Sequence, residues 1–258
     1  MTGLLPPNWR SLPLLGPHAS PGGMLYRAAA LSHATAEELA QCPADLTWID
    51  LRTQGEVDEE TRHHVPSAWS HVHVPFMEMD VEVGQASDAL RDLIEGVTTF
   101  GDHYCVMLET AAPNIAEVLR VLADTAGPVV IACQGGRDRT GIISAILLLL
   151  AGAERQTVIE DYTRTNVDLQ ENLARQPGGQ LAQELFARLN LLCRPEDITM
   201  ATDYIAERGG VRAYLGEHIT DADYDRVVRV VRTRLGLGSP SSLVPRPQQL
   251  HTQKEPAT

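Results

Sequence analysis

Short apolar runs alternate with longer stretches of helical period along this chain, the signature of an α/β layered fold with a largely parallel sheet. Three runs read as central strands: Leu46–Asp50 (LTWID), Ser70–Val74 (SHVHV) and Pro128–Ala132 (PVVIA), each short and followed by a polar or glycine-rich segment. Between the last two, Pro113 stands where a first helical turn tolerates it, and Ile115, Val118, Leu119 and Leu122 follow at i, i+3, i+4 and i+7. That spacing predicts a helix packed on the sheet. After the third strand, residues 142–151 are apolar except for Ser144, which suits a helix buried on most of its faces. From there to Gly236 the pattern is helical. Thr157 and Glu160 read as a capping box before Val158, Ile159 and Tyr162, while Gln176-Pro-Gly-Gly179 breaks the following segment. Thr220 and Asp223 mark a last helix through Tyr224, Val227, Val228 and Val231, with Gly236 at its C′ position. The remainder, LGSPSSLVPRPQQLHTQKEPAT, has little to bury and predicts a disordered tail.

Composition narrows the reading. A chain of 258 residues with 43% hydrophobic content buries one substantial core, so residues 1–236 are expected to form a single domain. Acidic residues outnumber basic ones by 34 to 21, and a net charge of −13 repels nucleic-acid backbones and anionic lipid. An anionic substrate therefore needs a local basic site working against the overall field. Cys42, Cys105, Cys133 and Cys193 form no CxxC pair and no zinc spacing, which points to a reducing, cytoplasmic compartment and to no metal or other cofactor. The N-terminal MTGLLPPNWRSLPLLGP lacks the basic start and continuous apolar run of a secretory signal. The longest apolar run is about half of the roughly 20 residues a membrane span requires, so no stable membrane insertion is expected. Oligomeric state is left open.

The chemistry concentrates in Val129-Val-Ile-Ala-Cys133-Gln-Gly-Gly-Arg-Asp-Arg139-Thr140-Gly141. A short loop between a strand and a helix N-terminus points backbone N–H groups into one concavity, where the helix dipole adds positive charge. Gln134, Gly135, Gly136 and Arg137 form that loop, with both glycines expected to supply positive φ and close approach to a ligand. Arg139 offers a planar fork for two phosphoryl oxygens. The same field favours a thiolate at Cys133. These parts define a route for phosphomonoesters: Cys133 attacks phosphorus in line, an acid protonates the departing oxygen, and water cleaves the phosphocysteine. Thr140 Oγ is placed to donate to the sulfur as it leaves.

C-x5-R-T is also the signature of the cysteine-dependent protein tyrosine and dual-specificity phosphatases, and Gly136-Arg-Asp-Arg-Thr-Gly141 resembles the G-K-D-R-T-G form of the bacterial family that includes mycobacterial protein tyrosine phosphatase B. The resemblance extends through Tyr26-Arg-Ala-Ala-Ala-Leu31, Trp48-Ile-Asp-Leu-Arg52, Val74-Pro-Phe76, Asp161-Tyr-Thr-Arg-Thr-Asn166 and Gly210-Val-Arg-Ala-Tyr-Leu215. It implies an α/β fold with a central four-stranded parallel sheet flanked by helices, and a helical lid insertion expected at residues 157–195. It also implies a phosphorylated protein as substrate. A phosphoinositide or nucleotide, or a catalytically weak phosphate-binding module, is the alternative. Two positions depart from the family: Ala132 stands where histidine is usual, and Arg137 where lysine is usual.

Asp50 is the first choice for the general acid, because it closes a strand at the sheet edge that carries the anion site and lies on the family's D-L-R segment. Its competing role is a pairing with Arg52. Asp138 is read as orienting Arg139 or positioning the hydrolytic water, and Asp80 is a further candidate. Arg27 is either a substrate contact or a solvated arginine. His63, His64, His71 and His73 are read as structural, and the run Glu56-Val-Asp-Glu-Glu60 as a solvated helix face. Trp9, Trp48 and Trp69 are assigned to packing. Rhodanese-type sulfur transfer is disfavoured, since its shorter loop would place the arginine where Asp138 stands.

Overall fold

The computed structural model describes residues 5–17, 24–58, 65–77, 92, 95–174, 184 and 192–237. Asp80, His63, His64, Glu59, Glu60, the Gln176-Pro-Gly-Gly179 break and residues 238–258 lie outside the described residues. Five strands form one sheet: β1 (Arg10–Ser11), β2 (Leu25–Ala28), β3 (Thr47–Asp50), β4 (Ser70–His73) and β5 (Val129–Ala132), in spatial order β1-β2-β5-β3-β4. The pairs β2–β5, β5–β3 and β3–β4 are parallel, which gives the four-stranded parallel sheet expected. A fifth strand was not anticipated. The two-residue β1 pairs antiparallel to β2 at the edge, too short to carry a period of its own. The strand β2 was also missed, because LYRA places a charged arginine in the middle of a buried run.

Since β5 enters between β2 and β3, its C-terminal end sits at the centre of the sheet edge where connections diverge to either side. Alternation along β5 sorts its residues to two cores. Val129, Ile131 and Cys133 face the large helical core, whereas Val130 and Ala132 join Ala28, Trp48, Leu31 and Trp69 in a smaller cluster on the other face. Ala132, where the family carries histidine, is thus enclosed by apolar groups and points away from the side that Cys133 faces. Trp69 also donates its Nε1–H to Pro43 O at 3.0 Å, and Trp9 stacks on Tyr26, so the tryptophans do pack.

The helical layer follows the chain after short α1 (Ala36–Leu39) and α2 (Gln54–Asp58). Helix α3 (Phe100–Thr110) starts at a capping box of Thr99 and Asp102. Helix α4 (Ala112–Asp124) carries Pro113 in its first turn and buries Ile115, Val118, Leu119 and Leu122, as the spacing predicts. Helix α5 (Asp138–Ala151) is buried nearly all round and stops at Gly152, where a positive φ of 83° lets the N–H groups of Gly152 and Ala153 close back on Leu149 O and Leu148 O. Helix α6 (Arg155–Ala174) begins two residues before the expected Thr157, because Glu154 O already accepts from Thr157 N. Thr157 therefore lies inside the first turn and is not its cap. Helices α7 (Pro195–Glu207), α8 (Gly210–Leu215) and α9 (Asp221–Arg234) complete the layer. Thr220 caps α9 through Asp223 N, and Gly236 follows it with a φ of 82°.

The ends of the expected lid belong to the body. Val158, Tyr162 and Thr165 are buried, and Asn166 clamps Cys193 by donating to its carbonyl (2.9 Å) and accepting from its N–H (2.7 Å). Residues 158–165 thus contribute buried side chains to the body of the fold.

Leu119 has no exposed surface in the core between α4 and the sheet. Leu119→Ala is expected to lower unfolding stability by about 2–5 kcal/mol, read as a lower urea midpoint with unchanged slope.

Candidate functional site

The C-terminal end of β5 delivers Cys133 to the sheet edge, and the loop from Gln134 to Arg137 leads into α5. Cys133 is 2% exposed. The shape of the loop is set by what holds its carbonyls. Gln134 O accepts from Ala30 N–H at 3.2 Å, Gly135 O from Asn8 Nδ2 at 3.2 Å, and Gly136 O from Asn8 Nδ2 at 2.8 Å and Arg27 Nη2 at 2.7 Å. A trans peptide sets its N–H opposite its C=O. With three successive carbonyls drawn toward β2 and the N-terminal segment, the N–H groups of Gly135, Gly136 and Arg137 turn to the other side, and α5 adds its N-terminal partial charge. The result is an anion cradle.

The two glycines are not equivalent. Gly136 has a φ of 66°, and a Cβ there would meet Ala28 O at 2.5 Å and Ala29 N at 2.7 Å. Gly135 has no such φ, and a Cβ on it would meet nothing within 4 Å, so the expectation of positive φ at both corrects to Gly136 alone.

Behind the loop lies a buried polar network. Arg27 is fully buried and neither meets solvent nor reaches a substrate: it pairs with Asp161 Oδ2 at 2.5 Å while holding Gly136 O. Arg10 reaches Asp161 Oδ1 at 3.3 Å, Asp168 at 2.6 Å and Thr165 Oγ1 at 3.0 Å, and also bonds Asn8 Oδ1. Burial and the neighbouring Arg27 charge push the Arg10 guanidinium down to about 10, against the pull of Asp161 and Asp168. Asn8 itself adopts a φ of 55°, a conformation that asparagine tolerates better than most residues. None of Asn8, Arg10 or Asp161 was assigned a role from the sequence. The one signal was Asp161, which opens a segment shared with the family.

Arg139 is held from the opposite flank. Its Nη1 and Nη2 donate to Glu56 Oε2 (2.5 Å) and Oε1 (2.7 Å), a two-pronged pair. Glu56 is in turn fixed by Thr53 N–H at 2.8 Å. Glu56 is therefore no part of a merely solvated face: it fixes the orientation of the Arg139 guanidinium. Burial alone would lower Arg139, but the Glu56 hydrogen bonds raise it above its ordinary value, so it stays a cation. Thr140 Oγ1 is buried and has no hydrogen-bond partner among the described residues.

Asp50 is held in a buried ion pair. Its carboxylate accepts from Arg52 Nε (2.9 Å), Nη2 (2.8 Å) and N (3.2 Å), both side chains without exposure, and meets the partly exposed His71 Nε2 at 3.0 Å. Burial pushes the carboxyl up, but the His71 and Arg52 hydrogen bonds outweigh it and hold it at about 2. This geometry is the pairing with Arg52 that competes with the acid role. His73 Nε2 meets Arg52 O at 2.8 Å, so both histidines serve this cluster. Asp138 remains within the loop, but its partners are not Arg139: Oδ1 accepts from Tyr104 OH at 2.6 Å and from Arg137 Nε at 3.0 Å. Arg137 lies over the Phe100 ring, 4.1 Å from its centroid.

A mostly parallel sheet whose central strand ends in a cysteine, followed by a five-residue loop and an arginine at a helix start, is the layout of the tyrosine phosphatase class. The sequence model of the tyrosine phosphatase family matches residues 18–231, and the chain belongs to that family. Among curated relatives, it is 36% identical to a tyrosine-protein phosphatase of Nostoc commune over 76 residues, 28% of this chain and 26% of the relative. It is 25% identical to the triple specificity protein phosphatase PtpB of Mycobacterium tuberculosis over 141 residues, 55% of this chain and 48% of the relative. The chain thus spans a quarter to a half of the length of these relatives.

Gly136→Ala is expected to abolish phosphate-analogue binding measured by calorimetry, because both φ and the contact with Ala28 forbid a side chain, whereas Gly135→Ala binds within a few fold of the parent. For Asp50, a folded value of about 2 below the ordinary 3.8 means that its contribution to stability is full above the ordinary value and fades as pH falls from 3.8 toward 2. Asp50→Asn should remove that part of the pH dependence and cost about 3–5 kcal/mol at neutral pH by leaving Arg52 buried without its anion. Denaturant unfolding across the acid range reads both effects.

Proposed function

We propose that this protein is a phosphomonoester hydrolase that works through a phosphocysteine at Cys133, with phosphotyrosyl or dual-specificity protein substrates as its targets. The observation that carries this reading is the loop itself: three carbonyls pulled backward behind a cysteine, facing an arginine that Glu56 holds in place. In the first step Cys133 Sγ bonds to phosphorus and the P–O bond to the leaving group breaks, with Asp138 supplying the proton to that oxygen. In the second, water attacks phosphorus, Asp138 takes back a proton, and Thr140 Oγ1, which has no hydrogen-bond partner among the described residues, donates to the departing sulfur as the P–S bond breaks. The N–H groups of the loop and Arg139 meet the charge on the equatorial oxygens throughout. None of these steps draws on a metal.

Arg137 bears on substrate choice. Its guanidinium is occupied by Asp138 and the Phe100 ring, an engagement that favours a single phosphoryl group over a second anionic group beside it. This supports a phosphoprotein over a substrate with a second phosphate, such as a multiply phosphorylated phosphoinositide. The names of both curated relatives agree with that choice. Among the described residues no helix is long and apolar enough to cross a membrane.

Phosphate release in EDTA from p-nitrophenyl phosphate, a phosphotyrosine peptide, a phosphoserine peptide, phosphatidylinositol phosphates and nucleoside monophosphates is the test, run on the parent and on Cys133→Ser. The parent should favour the aryl phosphates, and the variant should release none while still binding the peptide. Binding without turnover by the parent would instead make it a phosphate-binding module, and turnover by Cys133→Ser would rule out the phosphocysteine.

A further inference from the structure

Two rings on one face of α3 grip the two charged residues of the loop. Phe100 and Tyr104 are four residues apart and so lie on the same side of the helix. Phe100 lies under the Arg137 guanidinium, and Tyr104 OH donates to Asp138 Oδ1 at 2.6 Å. Tyr104 is 1% exposed. Its hydroxyl oxygen is also 2.7 Å from Tyr162 OH of α6, with the two rings edge to face. A carboxylate only accepts, so Tyr104 spends its single proton on Asp138, and Tyr162 must donate to Tyr104. The chain therefore runs one way, from Tyr162 to Tyr104 to Asp138. Burial and the Asp138 charge raise Tyr104 well above the ordinary tyrosine value, and burial does the same for Tyr162, so both remain protonated donors at working pH.

The geometry at Asp138 is one-sided. Both the Tyr104 hydroxyl and Arg137 Nε converge on Oδ1, and neither takes Oδ2. With its side chain 32% exposed, Asp138 meets solvent while one of its oxygens is fixed. Resting on the phosphatase reading above, we propose that Tyr104 is a positioning residue for the hydrolytic half of the reaction, locking Asp138 through Oδ1 so that Oδ2 faces the water that attacks the phosphocysteine. Tyr162 supports it from behind. The phenolic oxygen touches neither substrate nor phosphorus; it acts through Asp138 alone.

Tyr104→Phe keeps the ring and its packing and removes only the donor, and Tyr162→Phe removes the support one bond further back. With p-nitrophenyl phosphate, whose leaving group needs little acid assistance, the first step should be nearly untouched and the second slowed. Tyr104→Phe is expected to lower kcat about tenfold, to lower KM in parallel, and to give a pre-steady-state burst of p-nitrophenol approaching one per Cys133 as phosphocysteine accumulates. Tyr162→Phe should do the same more weakly. Adding Tyr104→Phe to Asp138→Asn should cost nothing more, since both act through one group. Vanadate, which mimics the transition state of the water attack, should bind Tyr104→Phe about tenfold more weakly, with inorganic phosphate affinity unchanged. An unchanged burst and kcat, a loss that adds fully to that of Asp138→Asn, or equal losses in vanadate and phosphate affinity would overturn the role of Tyr104 while leaving the phosphatase reading intact. A parent that shows no Cys133-dependent turnover and binds no vanadate would overturn both.

Discussion

A fully buried arginine holds this site together. Arg27 stands in the middle of β2, where an uncompensated charge would not be tolerated, and it is neutralised by Asp161 from a helix far along the chain. One guanidinium nitrogen takes the carboxylate and another takes Gly136 O. A single side chain thus ties the sheet, helix α6 and the loop after Cys133 together. Removing either partner of such a pair costs about 3–5 kcal/mol, because the remaining charge stays buried. Arg10 and Asn8 extend the same network to the N-terminal segment, so the edge strand β1 is fixed by the electrostatics of the site as much as by its two-residue ladder.

The consequence for chemistry is preorganisation. Backbone N–H groups bind an anion without losing side-chain entropy, but only if their peptides are already turned, and here the turning is done by donors that occupy the carbonyls on the far side. Arg139 is fixed by the same logic through Glu56. The chain carries −13 overall and each arginine of the site is paired with a carboxylate, so the positive character offered to an anion comes from the inward-pointing loop amides and the helix N-terminus. Two carboxylates that might both be read as acids are separated by environment. Asp50 is sealed in an ion pair beneath the sheet edge, whereas Asp138 keeps an exposed side and is steered by Tyr104 and Arg137.

By itself the sequence determined what is local. The spacing of Cys133 to Arg139 spans one strand-to-helix connection, the Pro113 helix repeats every three to four residues, and three strands are short runs of alternating or continuous apolar residues, so each is readable from neighbouring letters. Tertiary structure decided the rest, because charged side chains take their roles from partners remote in the chain. Arg27 and Asp161 are 134 positions apart, and Arg139 and Glu56 are 83 apart. No local pattern announces such pairs, and an arginine within LYRA argues against a buried strand until its counter-charge is known. The same reason took Glu56 from a solvated face to Arg139 and set Asp50 against Arg52: a carboxylate's role follows from which cation folding brings to it.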